Sequence, residues 1–253
     1  MNYIIAFVKK YWITGVVLVG IFFAYKFATE AGILNAVLFP TPDKIAAAFG
    51  NHADEMPRNF FSSMGLLLPS LLIGTVIALA FGILMGTHKR LRETLYPIVY
   101  AVSVIPAILL SPFALNLAPS FAAASVFMIV YNTIWATLFA TITGIMTIDR
   151  RYLDNAATLC LTGVKKLTKV ILPAAMPSIM SGFVTSLRAS FLVLVFAEMY
   201  SAQYGMGYFV KKNSDFGLYD NTWAGFLFMI VVLVVVMQIF EKVKNHMLRW
   251  TID

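Results

Sequence analysis

Charge is scarce in this 253-residue chain: Asp, Glu, Lys and Arg make up 12% of it, about half the share found in soluble domains. Cysteine is scarcer still. The single thiol, Cys160, excludes an intrachain disulfide framework, and three scattered histidines (His52, His88, His246) supply no zinc or haem ligand set. No low-complexity tract and no internal repeat is visible, so disordered and fibrous classes drop out. No paired-carboxylate, Ser/His or metal-ligand cluster recurs within the apolar runs, which argues against a membrane-embedded enzyme. What the chain has is apolar bulk: 60% hydrophobic residues, 21 Phe and 13 Met, with a mean hydropathy of +0.82. That composition predicts an all-α polytopic membrane protein, with residues 1–253 as one domain.

A bilayer core about 30 Å thick takes about 20 apolar residues per helix. Six runs qualify, at about 12–28, 60–87, 95–117, 119–147, 177–200 and 223–240. The first lacks a small-residue cleavage site and reads as an uncleaved anchor. The third carries Pro97, Pro106 and Pro112, which predict a kinked, protein-facing helix. Two other segments read as interfacial. Residues 40–49 have a Pro-Asp start signal and predict a short surface helix, whereas 205–223, rich in Gly, Asn and Asp, predicts a loop with aromatics at headgroup level.

Six crossings place both termini, the 88–94 connection and residues 148–173 on one side. That side carries Lys9, Lys10, Lys89, Arg90, Arg92, Arg150, Arg151, Lys165, Lys166, Lys169, Lys242, Lys244 and Arg249 against Glu93, Asp149, Asp154, Glu241 and Asp253, a net of +8. The other side nets −1, and Arg188 and Glu198 in the fifth run cancel, which recovers the chain's +7. The positive-inside rule therefore puts both termini in the cytoplasm. The excess of basic residues reports topology, and no nucleic-acid partner is expected.

Between the fourth and fifth runs lies a polar segment, DRRYLDNAATLCLTGVKKLTKVILP, at 149–173. Its apolar residues Leu153, Ala157, Cys160, Val164, Leu167 and Ile171 recur in steps of four and three, which predicts one stripe on a helix. Asp149 stands near its start, lysines cluster toward its end, and Thr162-Gly163 marks a break into two short helices. Periodicity alone is equally consistent with a basic amphipathic helix on the inner leaflet and with a docking surface for a partner.

The order of residues LDNAATLCLTGVKKLTKVILPAAMPSIMSG resembles the EAA loop of ABC-transporter permeases, the membrane subunits of binding-protein-dependent importers. Leu172 and Pro173 match the end of that motif, Asp154 stands at its Glu, Asn155 and Ala156 at its alanines, and Cys160 at its Gly; Gly163 is the nearest alternative source of flexibility. LFPTPDKIAAAF before the second run and AEMYSAQYGMGYFV after the fifth extend the likeness over roughly 38–245, and look like the nitrate, sulfonate and taurine branch. The resemblance implies a type I importer permease fold in a bacterial plasma membrane. It also implies a permease homodimer or a pair with a close paralogue, two cytosolic ATPase subunits docked on 149–173, and an extracytoplasmic substrate-binding protein. The chain has no G-x-x-x-x-G-K-[ST] loop, so no cofactor is expected on it, and ATP and Mg²⁺ are expected on the ATPase. The expected cargo is a small solute, with sulfonate, taurine or nitrate as candidates.

Arg188 and Glu198 are the charges inside the fifth run, and ionisable groups at membrane depth are functional candidates by default. Ten positions apart, about 15 Å along a helix, they do not pair. Arg188 is a candidate pathway residue for an anionic cargo or a partner carboxylate; Glu198, near the outer end, is a second pathway candidate or a group sitting in water. Asn116, Asn132, Thr133, Thr137, Thr141 and Thr143 either line a pathway or hydrogen-bond between helices, and Gly82 and Gly86 fit small-xxx-small packing. A stand-alone secondary transporter or channel is the competing class, and it would need more intramembrane charge or an inverted repeat.

Overall fold

The computed structural model describes residues 2–251, with side chains at 12–200 and 202–250; Met1, Ile252 and Asp253, whose charge entered the topology count, lie outside the described residues. The elements run α1 (Asn2–Glu30), α2 (Pro42–Asn51), α3 (Glu55–Thr87), α4 (Lys89–Ser103), a 3₁₀ turn (Ala107–Leu110), α5 (Ser111–Leu117), α6 (Phe121–Met146), α7 (Arg150–Thr158), α8 (Gly163–Lys166), a π-helical turn (Leu167–Ile171), α9 (Leu172–Ser201), α10 (Met206–Asp215), α11 (Tyr219–Met247) and a 3₁₀ turn (Arg249–Thr251). No strand occurs among the described residues. Five segments are long and apolar enough to cross a membrane: Trp12–Glu30, Glu55–Thr87, Phe121–Met146, Gly163–Tyr200 and Tyr219–Met247.

The third apolar run departs from a kinked helix. It divides into Lys89–Ser103 and Ala107–Leu117, bent by 76°, and makes a sixth span only if the pair is taken together. Pro97 is tolerated inside α4, and the break falls at Pro106, the extended N-cap of the 3₁₀ turn. A residue with fixed φ and no N–H ends one helix and starts the next there. Tyr131 of α6 pins the corner, its hydroxyl donating to the carbonyls of Val102 at 2.6 Å and Ile105 at 3.2 Å.

The core is α6 packed between α3 and α9. Apolar side chains gain little from meeting each other in lipid, so close approach and hydrogen bonds must hold these helices together. A Cβ added at Gly74 would stand 2.7 Å from Thr133 Cβ, at Gly82 2.7 Å from Thr141 Cβ, and at Gly86 2.8 Å from Ile145 Cδ1. On the other face of α6, Gly144 and Gly182 bring α9 into similar contact. A hydroxyl ladder crosses this seam: Thr133 and Ser190 share a 2.7 Å hydrogen bond, Thr137 and Ser186 one of 2.9 Å, and Ser186 Oγ donates to Thr133 O at 2.7 Å. Thr133, Thr137 and Thr141 are fully buried; Thr133 and Thr137 join helices, as does Asn132, whose Nδ2 donates to Ser190 Oγ at 3.4 Å, whereas Thr141 donates to Thr137 O of its own helix at 2.7 Å, Asn116 to Pro112 O of its own helix, and Thr143 is exposed.

At the end of the bundle away from α7 and α8, α2, α10 and the start of α11 form a cap around Ile45, Ala48, Met56, Phe209 and Ala224. The 205–223 segment is thus more ordered than a loop, its first ten residues after Gly205 forming α10. Trp223 Nε1 donates to Leu38 O at 2.9 Å and Tyr25 Oη to Pro40 O at 2.7 Å, which ties α1 to this cap. Between Trp12 and Phe27, α1 otherwise presents apolar side chains outward.

Candidate functional site

Residues 149–173 begin with a strong local start signal. Asp149 Oδ1 accepts from the Arg151 backbone N–H at 2.9 Å, capping α7, while its Oδ2 takes the Arg151 guanidinium at 2.6 Å. The side-chain hydrogen bond from Arg151, joined by the backbone one, holds this carboxyl down at about 2. α7 then ends in a Schellman arrangement: Cys160 N–H donates to Ala157 O at 2.9 Å and Leu161 N–H to Ala156 O at 2.9 Å. Cys160, where the resemblance asks for Gly, adopts a left-handed φ of 51°, and Gly163 follows with φ 54°.

That turn corrects the predicted stripe. The break spans 159–162, so Leu153, Ala157, Cys160, Val164, Leu167 and Ile171 do not share one helical face. Instead Leu159 and Val164, 70% and 75% exposed, stand out on either side of the turn with Tyr152 nearby in sequence on α7. Asp154 and Asn155 are exposed on α7, and Ala156 is buried. Leu172 and Pro173 lie outside the loop proper, in the first turn of α9, immediately after the π-helical turn. Pro173 has no N–H to give the carbonyl four residues back, and a widened turn accommodates that loss.

A non-glycine in the left-handed region costs about 1–2 kcal/mol. Cys160→Gly is therefore expected to stabilise the loop by about 1 kcal/mol, read as slower backbone amide exchange at Cys160 and Leu161 with unchanged exchange in α6 and α9. Faster exchange at those two amides would contradict the left-handed assignment.

The second constellation lies at the opposite end of α9. Glu198 is fully buried, contrary to a group sitting in water. Its Oε2 accepts from Gly207 N–H at 2.8 Å; from α3, Asn59 Oδ1 accepts from Gly205 N–H at 3.1 Å and Ser63 Oγ from Met206 N–H at 3.0 Å. These are the unpartnered donors that every helix start leaves, here the start of α10, and three side chains from two long helices satisfy them. The approach is so close that only glycine fits. Gly205 has φ 124° and ψ 160°, and an added Cβ would stand 2.5 Å from Glu198 Oε1; one at Gly207 would stand 3.0 Å from Glu198 Cβ. Glu198 Oε1 has no hydrogen-bond partner among the described residues.

Arg188 is exposed on α9 with no ion pair among the described residues, and it does not meet Glu198. Sequence reasoning passed over Asn59, Ser63, Gly205 and Gly207. The available signal was a Gly-Met-Gly triplet seven residues after an intramembrane carboxylate.

An all-helical bundle with five or six candidate membrane spans, a close-packed three-helix core and a short exposed helix pair at one end is in class a polytopic membrane protein. Residues 71–249 match the binding-protein-dependent transport system inner membrane component family. The chain belongs to that family: it is a multi-pass inner-membrane permease of an ABC importer. It is 25% identical over 246 residues to SsuC of Bacillus subtilis strain 168, named as an aliphatic sulfonates transport permease, covering 96% of this chain and 89% of that one. The nitrate import permease NrtB of Leptolyngbya laminosa is 30% identical over 139 residues, and the bicarbonate permease CmpB of Synechococcus elongatus 31% over 139 residues; both matches span about half of this chain and 50% of the relative. Among solved structures, an inward-facing MetNI methionine ABC transporter shares the fold, with a TM-score of 0.66 at 17% identity over 80% of this chain and 99% of that one.

Proposed function

We propose that this permease carries a small oxyanion, of the sulfonate, nitrate or bicarbonate kind, and that two copies form the pathway. The observation that carries the coupling is the 149–173 loop. Its exposed Tyr152, Leu159 and Val164, followed in sequence by Lys165, Lys166 and Lys169, suit burial in a groove of a cytosolic ATPase, with lysines meeting carboxylates at the rim. That partner holds ATP and Mg²⁺; this chain supplies the docked helices and the path. ATP moves the path between inward and outward openings only through its different affinity for the two states. The cap of α2 and α10 receives the binding protein on the outside. Arg188, an exposed cation partway along α9, faces the anion in the space between the two copies. The relatives' names supply the cargo class.

The test is reconstitution. The permease alone hydrolyses no ATP, and proteoliposomes holding it with the co-purifying ATPase and binding protein take up radiolabelled sulfonate, nitrate or bicarbonate only when ATP is supplied. Uptake at equal rate without ATP would replace this reading by a secondary carrier.

A further inference from the structure

A cavity of about 570 Å³ opens at the end of the bundle opposite the 149–173 loop, between the start of α3, the α9–α10 turn and α10. Two cations line it, Arg58 and Lys212. Each lies over an aromatic ring: the Arg58 guanidinium carbon is 4.4 Å from the Tyr204 ring centre and Lys212 Nζ 5.8 Å from that of Tyr208. Neither has a carboxylate within ion-pairing distance among the described residues, whereas the adjacent Lys211 is paired with Asp215. The one acid in the lining, Glu55, is 3.3 Å from His52 Nδ1. Behind the cations, Asn59 spends its Oδ1 on Gly205 N–H, which leaves its Nδ2 as a free donor. The tyrosine hydroxyls add further donors.

Two unpaired cations held on aromatic faces, beside amide and hydroxyl donors and outnumbering the single carboxylate of the lining, are the complement of a small planar or tetrahedral oxyanion. Such a pocket raises the local anion concentration at the mouth of a path. The geometry points to an entry subsite for a small free oxyanion in this cavity, used before the anion reaches the path between the two copies. This deepens the cargo reading above and rests on it for the identity of the anion.

Methanesulfonate is the probe, because its methyl protons report binding by saturation-transfer NMR on the purified permease–ATPase complex in nanodiscs. Dimethyl sulfone, its neutral isostere, is the control. The wild type is expected to saturate methanesulfonate and not dimethyl sulfone, and Arg58→Gln with Lys212→Gln to lower that signal about tenfold, the loss of two charge-assisted contacts. Arg90→Gln, which removes an exposed cation at the other end of the bundle, leaves it unchanged. Both cavity positions are exposed, so the variants fold, and an unchanged melting temperature confirms it. The inference is overturned by equal saturation of the two probes, by a signal that survives the double substitution, or by one that Arg90→Gln lowers as much. It is also overturned if methanesulfonate never binds and the double variant loses only stimulation by the binding protein, because the cations then meet a carboxylate of that protein. ATP-driven oxyanion uptake that persists without methanesulfonate binding removes the subsite and leaves the cargo reading; binding without any oxyanion uptake does the reverse.

Discussion

Replacing Gly205 by alanine is expected to lower the stability of the folded permease by about 3–5 kcal/mol and to abolish transport. Two costs combine. The backbone at φ 124° and ψ 160° lies where L side chains are rarely found, a strain of about 1–3 kcal/mol. The new methyl also meets the Glu198 carboxylate, 2.5 Å from Oε1 and 2.8 Å from Oε2. Either the turn opens or the carboxylate moves, and movement removes the Oε2 contact to Gly207 N–H and leaves a buried polar group unpaired, a further 1–3 kcal/mol or about that. The readout is the midpoint of thermal aggregation of the detergent-solubilised complex, followed by uptake in proteoliposomes. A double-mutant cycle isolates the clash: Glu198→Ala, itself destabilising because Gly207 N–H loses its acceptor, makes room for the methyl, so the double variant is expected to lose less than the sum of the two single losses. Additive losses across that cycle would mean that the two residues do not meet.

The second large effect concerns the exposed turn. Leu159→Asp together with Val164→Asp is expected to release the ATPase, weakening its hold at least about a hundredfold, since buried apolar anchors of an interface are worth about 2 kcal/mol or more each. Both side chains are largely exposed, so the variant is expected to fold and to melt with the wild type. Co-elution of the ATPase in size-exclusion chromatography reads the result, and a bulky residue at Asp154 or Gly163 is expected to act in the same direction. Undiminished co-elution of the double variant would move the docking surface elsewhere.

The bundle and the loop were legible because their signals are local. Long apolar runs, the Pro-Asp start of α2, Asp149 at the head of α7 and the Thr162-Gly163 break each follow from neighbours in sequence. The departures have one common cause, which is a partner distant in sequence or a residue of the wrong type for the conformation it adopts. Cys160 gives no turn signal, yet the carbonyls of Ala156 and Ala157 draw it into the left-handed region, and so the predicted stripe ends early. Residues 205–215 read as a loop since Gly-Met-Gly breaks any helical pattern, and the helix forms there because Asn59, Ser63 and Glu198 bind its first amides across 146, 143 and 9 residues of chain. Burial of Glu198 depends on that returning segment, so nothing in the flanking LVLVFAEMYS foretells it. At Pro106 the residue was seen, but whether it kinks a helix or ends it is decided by Tyr131, which holds the corner from another helix.

The segment Gly163–Tyr200 runs 38 residues without leaving helical conformation, about 57 Å at the usual rise. One end carries the exposed turn proposed above as the docking surface, and the other carries Glu198 and hence the seat of α10. Along the way the segment meets α6 through close glycine contacts and hydroxyl bonds. If the ATPase docks as proposed, this length makes it a lever: a rotation of about 5° at the docked end would displace the far end by about 5 Å, the rise of roughly one helical turn. The contacts of Asn59, Ser63 and Glu198 with the first amides of α10 would pass that displacement to α10, with no separate hinge required.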